Sequence, residues 1–454
     1  MKVVVVGAGP AGIRTAQTLA RQGLRPVLLD EAMRPGGQGY RSPAAGIALD
    51  ISSLMGSQFD KYRRLHADFA ALQTQIDYRP GTLVWAIDGR DLHIVRDGVA
   101  QTLPFDALVV ASGATDRVMP LPGWTLPGVF SLGGAQIALK DQGCLVGRRV
   151  VFCGSSPLLS LAAAQYAALG AQVVAVCDTT PLADKIAAAP LLLTQAGTLA
   201  RGIGYLAGLR RAGIPLLFAA MPRRIEGDGR VQAVVLTDRK GRERRLACDA
   251  VALGYGLKPE TQLAELAGAS FAFDGDFRLW LPVADPDGRA GPNLYIAGDG
   301  AAIGGADAAE IGGELAALAL LADAGRAAPT EKMTDLRRRL QRLRLFQKGL
   351  ARAFAWPHRE AATLPDETIL CRCEGITAGD VRASLAADLI PPEVNRVKAF
   401  TRCGMGRCQG RMCGPALQEI VAAHAAVPVD SVGRLRGQAP VKPVALSAAL
   451  ERTS

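Results

Sequence analysis

The chain has 454 residues, 52 lysines and arginines against 42 aspartates and glutamates, a net charge of +10, and 49% hydrophobic but only 5% aromatic residues. That length exceeds one ordinary core, and the apolar fraction excludes disorder over most of the chain, so several domains of soluble α/β type are expected. The basic residues are mostly arginines scattered through every region, with no basic run interleaved with aromatics, which argues against a nucleic-acid partner.

In chain order, "KVVVVGAGPAGIRTAQTLARQGLRPVLLD" predicts a strand, the turn Gly7-x-Gly9-x-x-Gly12, a helix, and a second strand ending at Asp30. Gly7 allows the tight turn, Gly9 lets a pyrophosphate approach the backbone, and Gly12 lets the helix pack on the strand. The helix N-terminus offers unpaired N–H groups to the phosphates. Asp30 stands where a carboxylate accepts the ribose hydroxyls, with Glu31 as the alternative. No signal peptide is read here, because "VVVV" enters the glycine turn without an h-region or cleavage site. Further along come "RPGGQGYR" with Gly36, Gly37 and Gln38, a strand leading to Ala111-Ser112-Gly113, and "PNLYIAGDGA" with Gly298 and Asp299. These motifs, in this order, resemble the flavoproteins with two dinucleotide domains that include glutathione-reductase-like enzymes. The resemblance covers roughly residues 1 to 325 and implies FAD, bound by Gly7, Gly9, Gly12, Asp30, Gly37, Gln38, Gly113 and Asp299.

The fold class expected is α/β, with two nested Rossmann-like domains followed by a small helical domain. The expected boundaries are 1–115 for the first part of the FAD domain, 116–245 for the nested domain and 246–325 for the second part. A helical linker over 326–365, an iron–sulfur domain over 366–425 and a tail over 426–454 complete the chain. The nested domain contains "VVFCGSSPLLSLAAAQYAALGAQVVAVC", Val151 to Cys177, which carries no charge. Its internal Gly-Ser-Ser-Pro and Gly170 predict a buried strand–turn–helix–strand and exclude a membrane span. Asp178 ends the second strand. The fingerprint is damaged, however: Gly154 is kept, but Ser156 and Leu159 stand at the second and third glycine positions. A Cβ at 156 crowds a pyrophosphate and Leu159 pushes the helix from the strand, so functional NAD(P)H binding is not expected.

Cys144, Cys153, Cys177 and Cys248 are isolated in apolar stretches and read as buried structural thiols, which disfavours disulfide reduction. His66, His93, His358 and His424 form no catalytic constellation. From Thr330 to Trp356, apolar residues at helical spacing among many arginines predict a connecting amphipathic helix or helical hairpin.

Five of the nine cysteines lie in the last fifth of the chain, in "CRCEG" and "TRCGMGRCQGRMCGP". The C-x-C pair is too tight for a usual zinc knuckle, and a Rieske centre would need two histidines. Spacing alone leaves Cys403–Cys408 and Cys408–Cys413 open as the second pair. The segment resembles the 2Fe–2S domain named after bacterioferritin-associated ferredoxin, which implies Cys371, Cys373, Cys408 and Cys413 as ligands and leaves Cys403 without a role. Thr377-x-x-Asp380 forms a capping box, Pro415 suits the first turn of a helix, and Arg372, Arg407 and Arg411 favour an anionic cluster.

Nearly the whole chain resembles the α-type subunits of flavin-dependent amine and imino-acid dehydrogenases, the opine oxidase, D-hydroxyproline and L-proline dehydrogenase and hydrogen cyanide synthase group. The shared segments include "GGQ", "GYGLKP", "GDGA" and the terminal cysteines. The resemblance implies an electron-transfer subunit with FAD and a 2Fe–2S cluster, an oxidase-like β subunit carrying the substrate site, and a downstream electron acceptor. Some members carry an additional FMN or ATP near the subunit contact; no motif here marks either. The cysteine pattern does not suit a secreted disulfide framework, so a cytoplasmic location is expected, with contact to the inner membrane face only through an electron acceptor. The competing reading is a stand-alone NAD(P)H-dependent FAD oxidoreductase that feeds its own cluster.

Overall fold

The computed structural model describes residues 1–386 and 391–450. Strand Val3–Val6 is buried throughout and sits inside a six-stranded sheet, ordered Arg289–Gly291, Leu294–Ile296, Ala107–Val110, Val3–Val6, Val27–Leu29, Asp77–Arg79. All neighbours are parallel except the Arg289–Gly291 edge. Parallel strands need cover on both faces, which is why this strand has no polar alternation. Helix Pro10–Arg21 packs against helix Gly305–Asp323 on one face.

The charge-free stretch forms strand Arg149–Gly154, helix Leu158–Ala168 and strand Gln172–Asp178, as expected. They belong to a second, all-parallel sheet ordered Leu216–Phe218, Gln172–Asp178, Arg149–Gly154, Ala250–Gly254, Val129–Ser131. The chain leaves the first domain through Ala114–Asp116 and returns through Leu257–Pro259, and these two segments pair antiparallel. The nested unit therefore closes after Gly254, later than a return at 246, because Ala250–Gly254 is an interior strand of its sheet.

The linker is a long helix, Thr330–Ala353, followed by the short helix His358–Ala362; in the long one the buried residues Met333, Leu336, Leu340, Phe346, Gly349 and Ala353 recur at helical spacing. At Gly349 a Cβ would lie 2.8 Å from that of Leu191, so the glycine admits close packing against the nested domain. The cysteine-bearing domain is not a loose appendage. Cys371, Cys413, Val421 and Trp356 share a continuous core with Val151, Cys153 and Leu253 of the nested domain. Trp124 donates its indole N–H to the Ile369 carbonyl at 2.6 Å, and Arg278 pairs with the buried Glu419 at 2.7 Å.

The described part of the tail is a strap. Leu435 fills the space beside Gly404 and Gly410, the Val441 N–H donates to the Trp85 carbonyl at 2.9 Å, and Lys442 pairs with Glu31. Among the described residues, no helix is long and apolar enough to cross a membrane.

Candidate functional site

The first glycine turn is built by backbone rules. Gly7 has φ +109°, where a Cβ would fall 2.3 Å from the Ala111 carbonyl oxygen. A Cβ on Gly12 would fall 1.7 Å from the Gly7 oxygen, so this glycine sets helix-to-strand contact. Gly9 differs: its Cβ would meet only the Gly37 Cα, at 3.7 Å, and would otherwise face a cavity. Asp30 accepts from the Ala8 N–H at 2.5 Å and the Ala32 N–H at 2.7 Å. Burial pushes its carboxyl above the usual range, although both N–H groups act to lower it. Glu31 is more exposed and pairs with Lys442, which leaves Asp30 as the acid anchored beside the glycine turn.

Gly7, Gly9, Asp30, Gly37, Gln38, Gly113 and Asp299 line one cavity of about 1370 Å³, with Gly12 behind its wall. Asp299 accepts from the Gly304 and Gly305 N–H groups at 2.8 and 2.9 Å, and burial pushes its carboxyl up. A helix N-terminus, a buried carboxylate and side-chain-free backbone around a large apolar-walled space fit a dinucleotide.

The nested site presents the opposite arrangement. Ser156 Oγ accepts from the Leu158 N–H at 3.2 Å, occupying a donor that a phosphate would take, and Leu159 is buried in the core. Asp178 accepts from the Thr180 N–H at 2.9 Å and from Lys185 at 2.8 Å. Lys185 in turn donates to the Ala353 carbonyl at 2.9 Å and lies 3.7 Å over the Phe354 ring. The carboxylate that would meet a ribose is thus consumed, and the end of the linker helix holds its cation in place.

The five late cysteines converge. The sulfurs of Cys371, Cys403 and Cys413 all lie within 4.8 Å of one another and are buried. Cys373 contacts Cys408, and both are partly accessible. The Cys403 and Cys413 thiols, with the Gly404 and Glu374 N–H groups, hold the Cys371 thiol far below its usual range, while contact with Cys371 and burial push Cys403 and Cys413 up. Such a donor set suits an iron–sulfur cluster, whose ligands are thiolates. Cys403 sits as close to this group as the ligands the sequence pointed to, although its position implied no role. The capping box forms, with Thr377 N–H to Asp380 at 2.8 Å and Asp380 N–H to Thr377 Oγ1 at 3.1 Å, and Pro415 opens helix Gly414–Ala425.

Of the four earlier cysteines, Cys153, Cys177 and Cys248 are buried together, and Cys153 is hydrogen-bonded to Cys177 and pushed well above the usual thiol range. Cys144 departs from expectation. It is exposed, because it follows the left-handed cap Gly143 in a surface turn where the preceding helix ends. His66 contacts the Tyr40 carbonyl at 2.9 Å and packs on Tyr62, and His93 packs on Trp85.

Sequence reasoning missed Glu260 and Lys140, and read Ser112 only as part of the crossover turn. Glu260 is 7% exposed and its carboxylate grips Arg411 at 2.5 and 3.1 Å. Lys140 lines the cavity at 5% exposure, and burial, with a smaller effect of Arg41, pulls its ammonium down to about 8. Ser112 Oγ donates to the Glu260 carbonyl at 2.6 Å. Arg372, Arg407, Cys408, Arg411 and Met412 line the same cavity as the first glycine turn.

Residues 1–320 match the pyridine nucleotide-disulphide oxidoreductase family, and residues 369–423 match the BFD-like [2Fe-2S] binding domain. The A-type subunit of opine oxidase from Agrobacterium tumefaciens (strain Ach5) is 37% identical, the match covering 98% of this chain and 90% of the relative. The HcnB subunit of hydrogen cyanide synthase from Pseudomonas aeruginosa is 33% identical, covering 99% and 98%. The crystal structure of L-proline dehydrogenase from P. horikoshii superimposes with a TM-score of 0.70 at 20% identity, covering 98% of this chain and 78% of that one, a likeness of fold. The chain belongs to the pyridine nucleotide-disulphide oxidoreductase family, in the group of these opine oxidase and hydrogen cyanide synthase subunits. It is an FAD-dependent oxidoreductase with a C-terminal 2Fe–2S domain.

Proposed function

We propose that the chain is the electron-transfer component of a hetero-oligomeric dehydrogenase or oxidase acting on an amino or imino acid of the opine, hydroxyproline, proline or glycine class. In this reading an oxidase-like partner subunit carries the substrate site, and electrons leave to a separate acceptor. One observation carries it: Cys408 and Arg411 of the cysteine loop line the same cavity as Gly7, Gly9, Asp30 and Asp299. FAD supplies two-electron chemistry and a 2Fe–2S cluster one-electron chemistry, so a cavity bounded by both sites suits conversion between them. Gly7, Gly9, Gly12, Asp30, Gly37, Gln38, Gly113 and Asp299 hold FAD, and Cys371, Cys373, Cys408 and Cys413 hold the cluster. In this reading the domains keep the order expected from the sequence, except that the nested domain extends through Gly254 and the FAD domain resumes at Leu257–Pro259, with the described tail as a strap. The occupied Asp178 disfavours the stand-alone NAD(P)H reading.

The isolated chain should retain flavin and iron yet show no turnover with opines, proline, hydroxyproline or glycine and an artificial acceptor. Adding the oxidase-like subunit from the native host should restore it. Turnover by the single chain at an enzymatic rate sinks the subunit reading. Ser substitution of any of the four ligands should bleach the cluster, while Cys403→Ser keeps it. If Cys403→Ser bleaches and Cys408→Ser does not, Cys403 belongs in the ligand set.

A further inference from the structure

The cysteine loop meets the flavin cavity through a largely buried ion pair. The Glu260 N–H donates to the Gly113 carbonyl at 2.9 Å and its carbonyl accepts from Ser112 Oγ at 2.6 Å, so its backbone is tied to the crossover turn on both sides. Its carboxylate takes two bonds from the Arg411 guanidinium, which also donates to the Cys408 carbonyl at 3.3 Å and the Val441 carbonyl at 2.8 Å. Arg411 therefore connects a cysteine of the cluster loop, the C-terminal strap and the flavin turn at once. The side chains are only 9% and 12% exposed. Burial alone would raise the Glu260 carboxyl, yet Arg411, with Lys258 and Lys442 nearby, holds it below the usual carboxylate range.

We propose that Glu260 is a positioning residue for electron exchange between the two cofactor sites: by gripping Arg411 it fixes the Cys408 edge of the cysteine loop against Ser112–Gly113. The proposal rests on the electron-transfer reading above. A forked guanidinium–carboxylate contact constrains orientation as well as distance, which a single contact does not. The pair also sets charge. Without the carboxylate, the Arg411 cation beside Cys408 is uncompensated in a medium of low dielectric, which favours the more negative, reduced cluster. In the transfer one electron leaves the reduced flavin and one ferric ion becomes ferrous. No bond forms or breaks at Glu260 or Arg411, and neither releases a proton.

The test uses the full chain carrying both cofactors, with Glu260→Gln, Glu260→Asp and Arg434→Gln. Arg434 pairs with Glu265 at 2.7 Å elsewhere in the same interface and serves as the control. All three should keep flavin content and the visible cluster spectrum. Glu260→Gln should raise the cluster midpoint potential in an EPR-monitored titration, yet slow flavin-to-cluster transfer after flash photoreduction about tenfold, because the lost positioning outweighs the gain in driving force. Glu260→Asp should return the potential toward the parent while leaving transfer slow, and Arg434→Gln should lower thermal stability alone. Parental potential and rate in Glu260→Gln overturn the proposal, as does the same shift in Arg434→Gln. Should Glu260→Gln lose its cofactors, Arg411→Lys decides: slowed transfer supports the clamp and an unchanged rate overturns it. Failure of transfer in the parent chain overturns the electron-transfer reading instead, and the clamp with it.

Discussion

The chain carries the same strand–turn–helix–strand twice, and the two copies have opposite fates. In the first, Gly9 faces open space and Asp30 is anchored by backbone N–H groups alone. In the second, Ser156 Oγ takes the N–H of Leu158 at the start of its helix and Asp178 is spent on Lys185. Gly154 keeps the tight turn in the second copy, with φ +144° and a Cβ that would lie 1.8 Å from the Gly254 oxygen. The turn thus outlasts the ligand geometry, because the glycine is required by the packing of the sheet itself. Retaining a Rossmann scaffold and retaining its dinucleotide are separate demands on the sequence.

The comparison breaks most readily at Gly9. Gly9→Val should fold, since its Cβ makes only an ordinary contact, yet the side chain fills the pyrophosphate space. The purified variant should hold almost no flavin by absorbance, and parental flavin content would defeat the assignment. At the matching acids the two sites should lose different things. Asp178→Ala leaves the half-buried Lys185, at 13% side-chain exposure, without its counter-charge. Breaking such a pair costs about 3–5 kcal/mol of stability in denaturant titrations, with flavin content unchanged. Asp30→Ala should instead weaken flavin affinity, by about 1.5–3 kcal/mol for lost charged hydrogen bonds, measured by titration of the flavin-free chain. NADH and NADPH should bleach the flavin in stopped flow more slowly than the ~1–1000 per second of typical turnover. Bleaching on that timescale would restore the nested site as functional.

The last test is a pH slope. Lys140, where the nested domain meets the flavin cavity, is pulled from 10.5 to about 8. Between those values the unfolded chain binds more protons than the folded one, so stability of the flavin-free chain rises with pH across that window. The slope should approach about 1 kcal/mol per pH unit, and Lys140→Met should flatten it.

The amino-acid order alone pointed to the first glycine turn, the buried charge-free βαβ, the amphipathic linker, the capping box and the need for thiolates near the end. Each is a local pattern: glycine positions, apolar periodicity and short side-chain spacing act within a few residues of backbone. Tertiary structure decided everything that depended on a distant partner. Glu260 and Arg411 lie 151 residues apart; Arg411 stands in the cysteine motif and was read only for its charge, and no motif marks Glu260. Lys185 is positioned partly by the Ala353 carbonyl, 168 residues away. Ala250–Gly254 is an apolar strand that either sheet could have accepted, and its pairing with Arg149–Gly154 on one side and Val129–Ser131 on the other assigns it to the nested one. Cys144 resembles its buried siblings in sequence and reaches the surface because a helix happens to end there. Cys403 joins Cys371 and Cys413 only once the loop has folded over Leu435 and the strap. Backbone conformation is written in neighbouring residues. Which charge meets which, and which thiol faces which, is set by how the finished layers stack.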